Sequence, residues 1–321
     1  MRDQVVGVAQ PRTVPVMLPT PSALVGGVPI HILDHAPGGY ARAGGTRGAF
    51  PGWATLAAAS GVPPALVDLS TLGRRIAARR AALLASPGGY SEQGPAVLGW
   101  SRSGDDLWLR FFDGDYAGCR ELLDMWEALP ADVAESLLDR APGLLLPLFA
   151  HGVSLSVSVS TADRRLMLGR RRADMAWGGK WQLSAGEGVS AADMTGGTLD
   201  LFAGVHRALA EEAGLDTWSL PVLAHTWSLD AGSYILALSA HVDLAPAGIT
   251  AAHVRAAHDL APDGWETAEL ADVEYSAAGI AALLEAPRDW VATVPVGLAA
   301  LAAATCGADL QQLLGLIPAG P

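Results

Sequence analysis

The fold prediction begins with Leu199-Asp200-Leu201-Phe202-Ala203-Gly204-Val205-His206-Arg207-Ala208-Leu209-Ala210-Glu211-Glu212-Ala213-Gly214-Leu215. Its apolar residues recur at helical spacing and keep one stripe against a core: Leu201, Val205, Leu209 and Ala213. Thr198 or Asp200 can cap the start, and Gly214 lies where a left-handed residue would end the helix. The stretch therefore predicts one amphipathic helix.

The end of this predicted helix carries an unusual pair of acids. Glu211 and Glu212 are adjacent, and Arg207 projects from the same part of the surface because residues three to five apart are near neighbours. The C-terminal end of a helix dipole is negative, so two carboxylates are unfavourable there without a cation. We therefore expect a positive charge to meet them.

Composition limits the class of protein. The chain has 321 residues and is 50% hydrophobic, enough for one large domain or two ordinary ones with a sizeable core. Its net charge of -12 argues against general affinity for nucleic acid or anionic membrane. Cys119 and Cys306 form no CxxC pattern, so neither a disulfide framework nor a zinc site is indicated. A reducing cytoplasm is the expected compartment.

Residues 291–308 come nearest to a membrane span in composition. They are rich in Ala and Gly and include Thr293 and Thr305, so the stretch is only weakly hydrophobic. Pro295 suits the first turn of a helix, and Gly307 suits its end. We predict a packed helix and no membrane association.

The first half of the chain divides into two predicted regions. Residues 1–50 are rich in Pro and Gly, which predicts an irregular arm with a short strand at 28–33. Residues 51–147 are predicted to be a smaller, mainly helical region with one β-hairpin. Its expected helices cover 53–60, 71–85, 116–129 and 131–140, and its hairpin strands cover 96–100 and 107–112.

A basic face lies on the predicted helix 71–85. It consists of Arg74, Arg75, Arg79 and Arg80, which suit either phosphate contacts or an ordinary solvated surface. Because the chain as a whole is acidic, nucleic acid is not an expected partner.

The second half alternates strands and helices. Val153, Leu155 and Val157 alternate with serines, which predicts a strand with one apolar and one hydroxyl-rich face. A return strand at 165–169 and a Gly-rich loop at 185–189 precede the helix at 199–215. Further strands are expected at 234–242 and 271–275, and helices at 276–285 and 294–306.

This order of elements, with residues 207–215 in the middle, resembles the Nudix hydrolases. The family signature ends in Arg-Glu-apolar-x-Glu-Glu-x-Gly-apolar on a helix after a Gly-rich loop, and the matching positions are Arg207, Leu209, Glu211, Glu212, Gly214 and Leu215. The resemblance covers residues 148–317. It implies an α/β/α sandwich built on a mixed sheet, hence an α/β (α+β) fold class, with residues 1–147 outside it.

The resemblance also implies a chemistry for the acids. Hydrolysis of a diphosphate needs a divalent metal to neutralise charge and activate water. Mg²⁺ prefers oxygen ligands, and Mn²⁺ is an alternative to it. Glu211 and Glu212 would hold the metal, which would offset the cost of ionising adjacent carboxylates. Arg207 would orient these carboxylates.

The sequence departs from the signature in three places. The family has Glu after the Arg, where this chain has Ala208, and Glu eight residues before it, where this chain has Leu199. The loop also carries an insertion at 190–197. Glu187 would return a lost carboxylate as a metal ligand and catalytic group, and so would an acid from a later segment, namely Asp263, Glu266 or Glu269.

Other residues are candidates for contact with a phosphorylated substrate. Arg170 in the run 170–172 and Lys180 would contact phosphate. Trp181 and Trp265, like Trp177, suit stacking on a flat group or ordinary packing. Glu266 completes the predicted substrate site. The histidines, such as His253 and His258, show no metal-binding spacing.

Two functions follow from these observations. The first is Mg²⁺-dependent hydrolysis of a diphosphate bond in a nucleotide-like or other organic diphosphate, which the retained Glu211 and Glu212 favour. The second is a Nudix-like ligand-binding or regulatory protein without hydrolysis, which Ala208 and the insertion favour. The expected partner is a small phosphorylated molecule, and the expected assembly is a homodimer.

Overall fold

The computed structural model describes residues 22–25, 27–49, 69–85, 93–115, 117, 118, 121, 124, 152–175, 177–230 and 235–318. Its strands are β1 (Ala23–Val25), β2 (Val28–His35), β3 (Arg42–Arg47), β4 (Gln93–Ser103), β5 (Asp106–Asp115), β6 (Gly152–Ser160), β7 (Arg165–Arg171), β8 (Trp181–Gln182), β9 (Ala185–Gly188), β10 (Met194–Thr195), β11 (Thr198–Asp200), β12 (Val222–Asp230), β13 (Ile235–Asp243) and β14 (Thr267–Glu274). Its α-helices are α1 (Leu69–Ala85), α2 (Leu201–Ala213), α3 (Ala251–His258), α4 (Ala277–Glu285), α5 (Val294–Cys306) and α6 (Leu310–Leu314).

The larger of the described sheets is mixed. Its strand order is β1-β2-β12-β13-β6-β7-β14, with β8 paired to β7 and β9 paired to β6. β13 and β6 run parallel, whereas β12 and β13, β6 and β7, and β7 and β14 run antiparallel. The predicted mixed sheet, and with it the α/β class of the fold, is confirmed.

Helices cover both faces of this sheet. The stripe Leu201, Val205 and Leu209 of α2 is fully buried in one core with Leu155 and Val157 of β6. A second core contains residues of α4, α5 and α6 packed against Leu166 and Leu168 of β7. Each face of the sheet therefore has its own hydrophobic core, as a three-layer arrangement requires.

Strand β6 has its predicted alternation, and both of its faces are buried. Ser156, Ser158 and Ser160 are inside the protein because α5 covers their side of the sheet. A Cβ added to Gly297 of α5 would lie 2.7 Å from Ser239 Oγ on the neighbouring strand β13. A helix of small residues thus packs close to a hydroxyl-rich strand pair.

Helix α5 has the predicted ends. Pro295 lies in its first turn, and Gly307 ends it in the left-handed region at φ 67°. Residues 294–302 of this helix are buried. Among the described residues, no helix combines the length and hydrophobicity needed to cross a bilayer.

The prediction of an irregular arm over 1–50 with one short strand is wrong at β1 and β3, where the chain forms two further strands. The expected short strand is the longer strand β2, which pairs with β12 at the edge of the large sheet. β3 lies in a second described sheet of order β10-β11-β3-β5-β4. A Cβ on Gly44 would lie 2.4 Å from the carbonyl oxygen of Leu199, so these glycines permit close strand contact and do not interrupt the strand.

The predicted hairpin is present and longer than expected, as β4 and β5. The helix predicted at 71–85 is α1. The helices predicted at 53–60 and 131–140, most of the one at 116–129, and the boundary at 147 lie outside the described residues.

Candidate functional site

Helix α2 is capped at both ends by the residues that its sequence indicates. The Asp200 carboxylate accepts hydrogen bonds from the backbone N–H groups of Phe202 (2.9 Å) and Ala203 (3.1 Å). Gly214 ends the helix at φ 65°. A Cβ on Gly214 would lie 2.4 Å from the carbonyl oxygen of Ala257, so only glycine fits there.

Arg207 is the cation that meets Glu211, one of the two acids at the end of this helix. Its Nε and Nη2 each donate to the carboxylate of Asp193 at 2.8 Å. Its Nη1 donates to Glu211 Oε2 at 2.6 Å and lies 3.7 Å from Glu187 Oε2. Nη2 also donates to the carbonyl oxygen of Gly188 at 3.2 Å. One guanidinium thus joins Glu211 of its own helix with Glu187 and Asp193 of the preceding segment.

Glu212 is buried, which corrects the expectation that Arg207, Glu211 and Glu212 share one exposed surface. Only 4% of the residue is exposed. The backbone N–H of Gly186 donates to both carboxylate oxygens at 3.1 and 3.2 Å, and Gln182 Nε2 lies 3.5 Å from Oε2. Burial and then the charge of Glu187 raise the pKa of Glu212 to about 8.

Glu187 lies on β9, the segment predicted as a Gly-rich loop. Backbone pairing of Gly186 and Glu187 with β6 makes this segment a short strand. Burial raises the pKa of Glu187 to about 7, against the influence of Arg207, and the charge of Glu211 raises it further. Glu187 and Glu212 are therefore two neighbouring acids that ionise with difficulty at neutral pH.

Glu266 is the later acid that joins this cluster. Arg171 Nη2 donates to Glu266 Oε2 at 2.9 Å, and Arg171 Nη1 donates to Gln182 Oε1 at the same distance. The charge of Glu266 contributes to the raised pKa values of Glu187 and Glu212. We call Glu187, Glu211, Glu212 and Glu266 the carboxylate cluster.

The other two acids considered for this role have different partners. The Asp263 carboxylate accepts from the indole N–H of Trp265 at 3.3 Å. Glu269 lies 3.8 Å from Arg170 at the surface. Glu266 is thus the one of the three whose charge acts on Glu187 and Glu212.

Three residues hold the cluster in a role that the sequence did not indicate, and one of them, Arg171, belongs to the run 170–172 that was expected to contact phosphate. Asp193 has a nearly buried side chain and is the bidentate partner of Arg207. It forms a capping box with Ser190, a spacing that was visible in the sequence. Arg171 and Gln182 orient Glu266 and Glu212, and their roles depend on strand pairing between β7 and β8.

Most of the predicted substrate contacts lie away from the cluster. Lys180 pairs with Asp289 at 3.3 Å, and the Arg288 guanidinium lies 4.6 Å above the ring of Trp181. Arg170 is exposed and donates through Nε to the carbonyl oxygen of Gly179 at 3.0 Å. Trp265, next to Glu266, is 52% exposed. Its indole N–H donates to Asp263, and the Arg172 guanidinium lies 5.8 Å from its ring. Glu266 is therefore the predicted substrate residue that the structure brings to the cluster.

The chemistry of the cluster suits a hard divalent cation, because every donor is a carboxylate oxygen. The side chains are not assembled around such an ion. Within the described residues, no three His, Cys, Asp or Glu side chains are grouped as metal ligands would be. Glu211 instead faces Arg207, and Ala208, where the signature has Glu, is fully buried in the hydrophobic core.

Comparisons with known proteins leave the family open. No family model and no curated protein matches this chain. Among solved structures, the chain is similar to DR0079 from Deinococcus radiodurans, with 9% identity over 44% of this chain and 76% of that chain, at a TM-score of 0.30. A likeness this distant assigns neither a fold family nor an activity.

Proposed function

We propose that this protein hydrolyses a diphosphate bond in a nucleotide-like or other organic diphosphate, with Mg²⁺ as cofactor. The observation that carries the proposal is the carboxylate cluster. Its four acids come from β9, α2 and the segment before β14, and they lie around Arg171 and Arg207. Acids with raised pKa values that lie close together are typical of functional sites, and a catalytic or binding role is the simplest reason for this cluster.

The charge balance of the cluster favours a bound cation. With Asp193, it has five acids against two guanidinium groups. Burial raises the pKa values of Glu187 and Glu212, and the charges of the neighbouring acids raise them further. A divalent cation would stabilise both ionised carboxylates, and it would supply charge neutralisation and an activated water to a diphosphate.

Arg207 has a positioning role in this proposal. Its guanidinium holds Glu211 and lies near Glu187, and Asp193 holds the guanidinium in turn. For Glu211 to bind a metal, its carboxylate would exchange Arg207 for the ion. That exchange needs only a side-chain movement, because the Glu211 side chain is 38% exposed.

The second candidate is ligand binding without hydrolysis. It is favoured by Ala208, which supplies no carboxylate, and by the complete set of partners that Arg207 already has. A DNA-binding first half would belong to this candidate. Arg75 and Arg79 of α1, however, form ion pairs with Glu121, so that part of the basic face is neutralised.

A hydrolysis assay separates the two candidates. The protein is incubated with Mg²⁺ and a panel of nucleoside diphosphate derivatives, and release of phosphate or nucleoside monophosphate is measured. We expect wild type to cleave at least one compound, Glu212→Gln to lose about 100-fold or more in rate, and Glu285→Gln, an exposed glutamate at the end of α4, to match wild type.

A second readout does not depend on the choice of substrate. Mg²⁺ binding near pH 7 should release protons from Glu187 and Glu212, because a bound cation lowers both pKa values. Calorimetry in two buffers of different ionisation enthalpy measures that release. If the protein neither binds Mg²⁺ nor cleaves any compound, the hydrolase proposal is wrong and ligand binding without hydrolysis is the remaining candidate.

A further inference from the structure

Beside the carboxylate cluster lies a cavity of ≈ 380 Å³. One wall is the first turns of α2, with Asp200 and Arg207. The opposite wall is the β10–β11 hairpin, with Thr195 and Thr198, and Trp218 lies at its edge. The volume is at the lower end for small-molecule sites and is enough for one ring system with its substituents.

Arg207 belongs to both the cavity and the cluster. It lines the cavity together with Asp193, and its Nη1 donates to Glu211 and lies near Glu187. The two sites therefore share a wall.

The cavity is unsuited to a phosphate group. Nε, Nη1 and Nη2 of Arg207 donate to Asp193 and Glu211, so this cation is already neutralised. The N-terminus of α2 is occupied by the carboxylate of Asp200. What the wall offers is the carboxylate of Asp200, which accepts hydrogen bonds, and the hydroxyl groups of Thr195 and Thr198, which both accept and donate them. These groups favour an uncharged group that carries hydroxyl or amino donors.

Trp218 is held in place at the cavity's edge. Its ring lies 4.9 Å from that of His206, which is buried and is held by a 2.8 Å hydrogen bond to Thr217 Oγ1. The backbone N–H of Trp218 donates to Asp216 at 3.4 Å. The residue is nevertheless 60% exposed. A supported tryptophan with an open surface suits stacking against a flat or sugar ring.

We propose that this cavity binds the uncharged, hydroxyl-bearing ring portion of the ligand, a nucleoside or a sugar. The ring would stack on Trp218, and its hydroxyl groups would donate to Asp200, Thr195 and Thr198. The placement of the diphosphate at the neighbouring cluster rests on the proposed function, whereas binding of the ring portion does not. The β10–β11 hairpin lies in and beside the insertion at 190–197, so the signature alone does not indicate this cavity.

The test uses ligands that carry no phosphate. Binding of adenosine and of glucose to the full-length protein is measured by calorimetry. We expect one of the two to bind saturably, which also identifies the source of the ring. Trp218→Ala should weaken that binding about tenfold or more, because base–aromatic stacking is lost. Thr198→Val, which keeps side-chain shape and removes the acceptor, should weaken it about threefold or more.

Trp177→Ala is the matched control, since Trp177 is also an exposed tryptophan and does not line the cavity. Its affinity should stay within about twofold of wild type. Thermal melting monitored by circular dichroism verifies that each variant is folded. If Trp218→Ala does not fold, Thr198→Val serves as the test.

Two results would overturn the inference. One is that neither adenosine nor glucose binds. The other is that Trp265→Ala weakens binding while Trp218→Ala and Thr198→Val do not, which would place the ring at Trp265, outside this cavity. Because neither ligand contains a diphosphate, an inactive hydrolysis assay leaves this result unaffected. If the protein binds the ring compound but cleaves no diphosphate, the proposed function is contradicted and the inference about the cavity is not.

Discussion

Two polar networks lie on opposite faces of the same sheet, and they differ in which ionisable groups they contain and in how those groups are paired. On the face covered by α2, the carboxylate cluster gathers acids whose pKa values are raised to about 7 and about 8. On the face covered by α5, His241 lies between Ser158 and Ser160, with its Nδ1 and Nε2 2.9 and 3.1 Å from the two hydroxyl oxygens. Burial lowers the pKa of His241 to about 4.

The difference separates a network suited to binding from one suited to stability. His241 is neutral at pH 7, and both of its ring nitrogens have hydroxyl partners, so it needs nothing more. The cluster contains more acid than its two arginines balance, and it lies beside a cavity. An unbalanced buried charge is costly without a partner, and a cation or ligand would supply one.

Removing the central cation of the cluster should have the largest effect. Arg207→Met leaves the nearly buried carboxylate of Asp193 without its bidentate partner. We expect the free energy of unfolding to fall by about 3 kcal/mol, measured by urea denaturation at pH 7. The control is Arg170→Met, which breaks an exposed 3.8 Å ion pair and should cost less than about 0.5 kcal/mol. Equal losses in both variants would contradict the buried role of Arg207.

The cluster should make the protein less stable as pH rises. Glu212 has a folded pKa of about 8 against 4.5 for a free glutamate, so its contribution is present below pH 4.5 and is lost as pH rises toward 8. In wild type, the free energy of unfolding should fall between pH 5 and pH 8.5, and in Glu212→Gln this fall should be smaller by on the order of 3 kcal/mol. Urea denaturation across this pH range measures both. A wild-type stability that is flat over this range would contradict the assignment.

The histidine network should act in the opposite direction and more weakly. His241 has a folded pKa of about 4 against 6.5 when free, so its contribution is present above pH 6.5 and is lost as pH falls toward 4. His241→Gln should make the loss of stability on acidification smaller by on the order of 2 kcal/mol. His225, whose pKa burial lowers to about 3, remains in this variant and should keep part of the effect.

The His241→Gln variant also tests whether the two faces act independently. Adenosine or glucose binding and diphosphate hydrolysis should be unchanged, because His241 lies on the face away from α2. A loss of either activity without a loss of folding would show that the networks are coupled through β6.

The sequence was most informative where local patterns dominate. The helix α2 and its caps, the strands β6 and β13, and the ends of α5 follow from periodicity, capping residues and the positions of Pro and Gly. It was least informative where glycines permit close packing. Gly44 was interpreted as part of an irregular arm, yet it lies in strand β3. This position is glycine because the neighbouring backbone leaves no room for a side chain.

The residues of the candidate site also fall into those that the sequence indicated and those that it did not. Arg207, Glu211 and Glu212 were recognisable from their spacing along one helix, and Glu187 was a candidate through the resemblance to the Nudix signature. Asp193 and Arg171 were not, because their roles depend on guanidinium contacts across elements that are far apart in sequence.

By itself, the sequence determined that an amphipathic helix with two acids at its end lies within residues 199–215, because helix periodicity and capping are local properties. The helix covers 201–213, and Leu199 and Asp200 belong to strand β11. The pairing of Arg207 with Glu211, one helical turn away, is local as well. Tertiary structure alone decided that Arg207 also pairs with Asp193 and that Glu212 is buried against the backbone N–H of Gly186. Those partners are set by how β9 and the β10–β11 hairpin pack against α2, and no pattern within the helix specifies that packing.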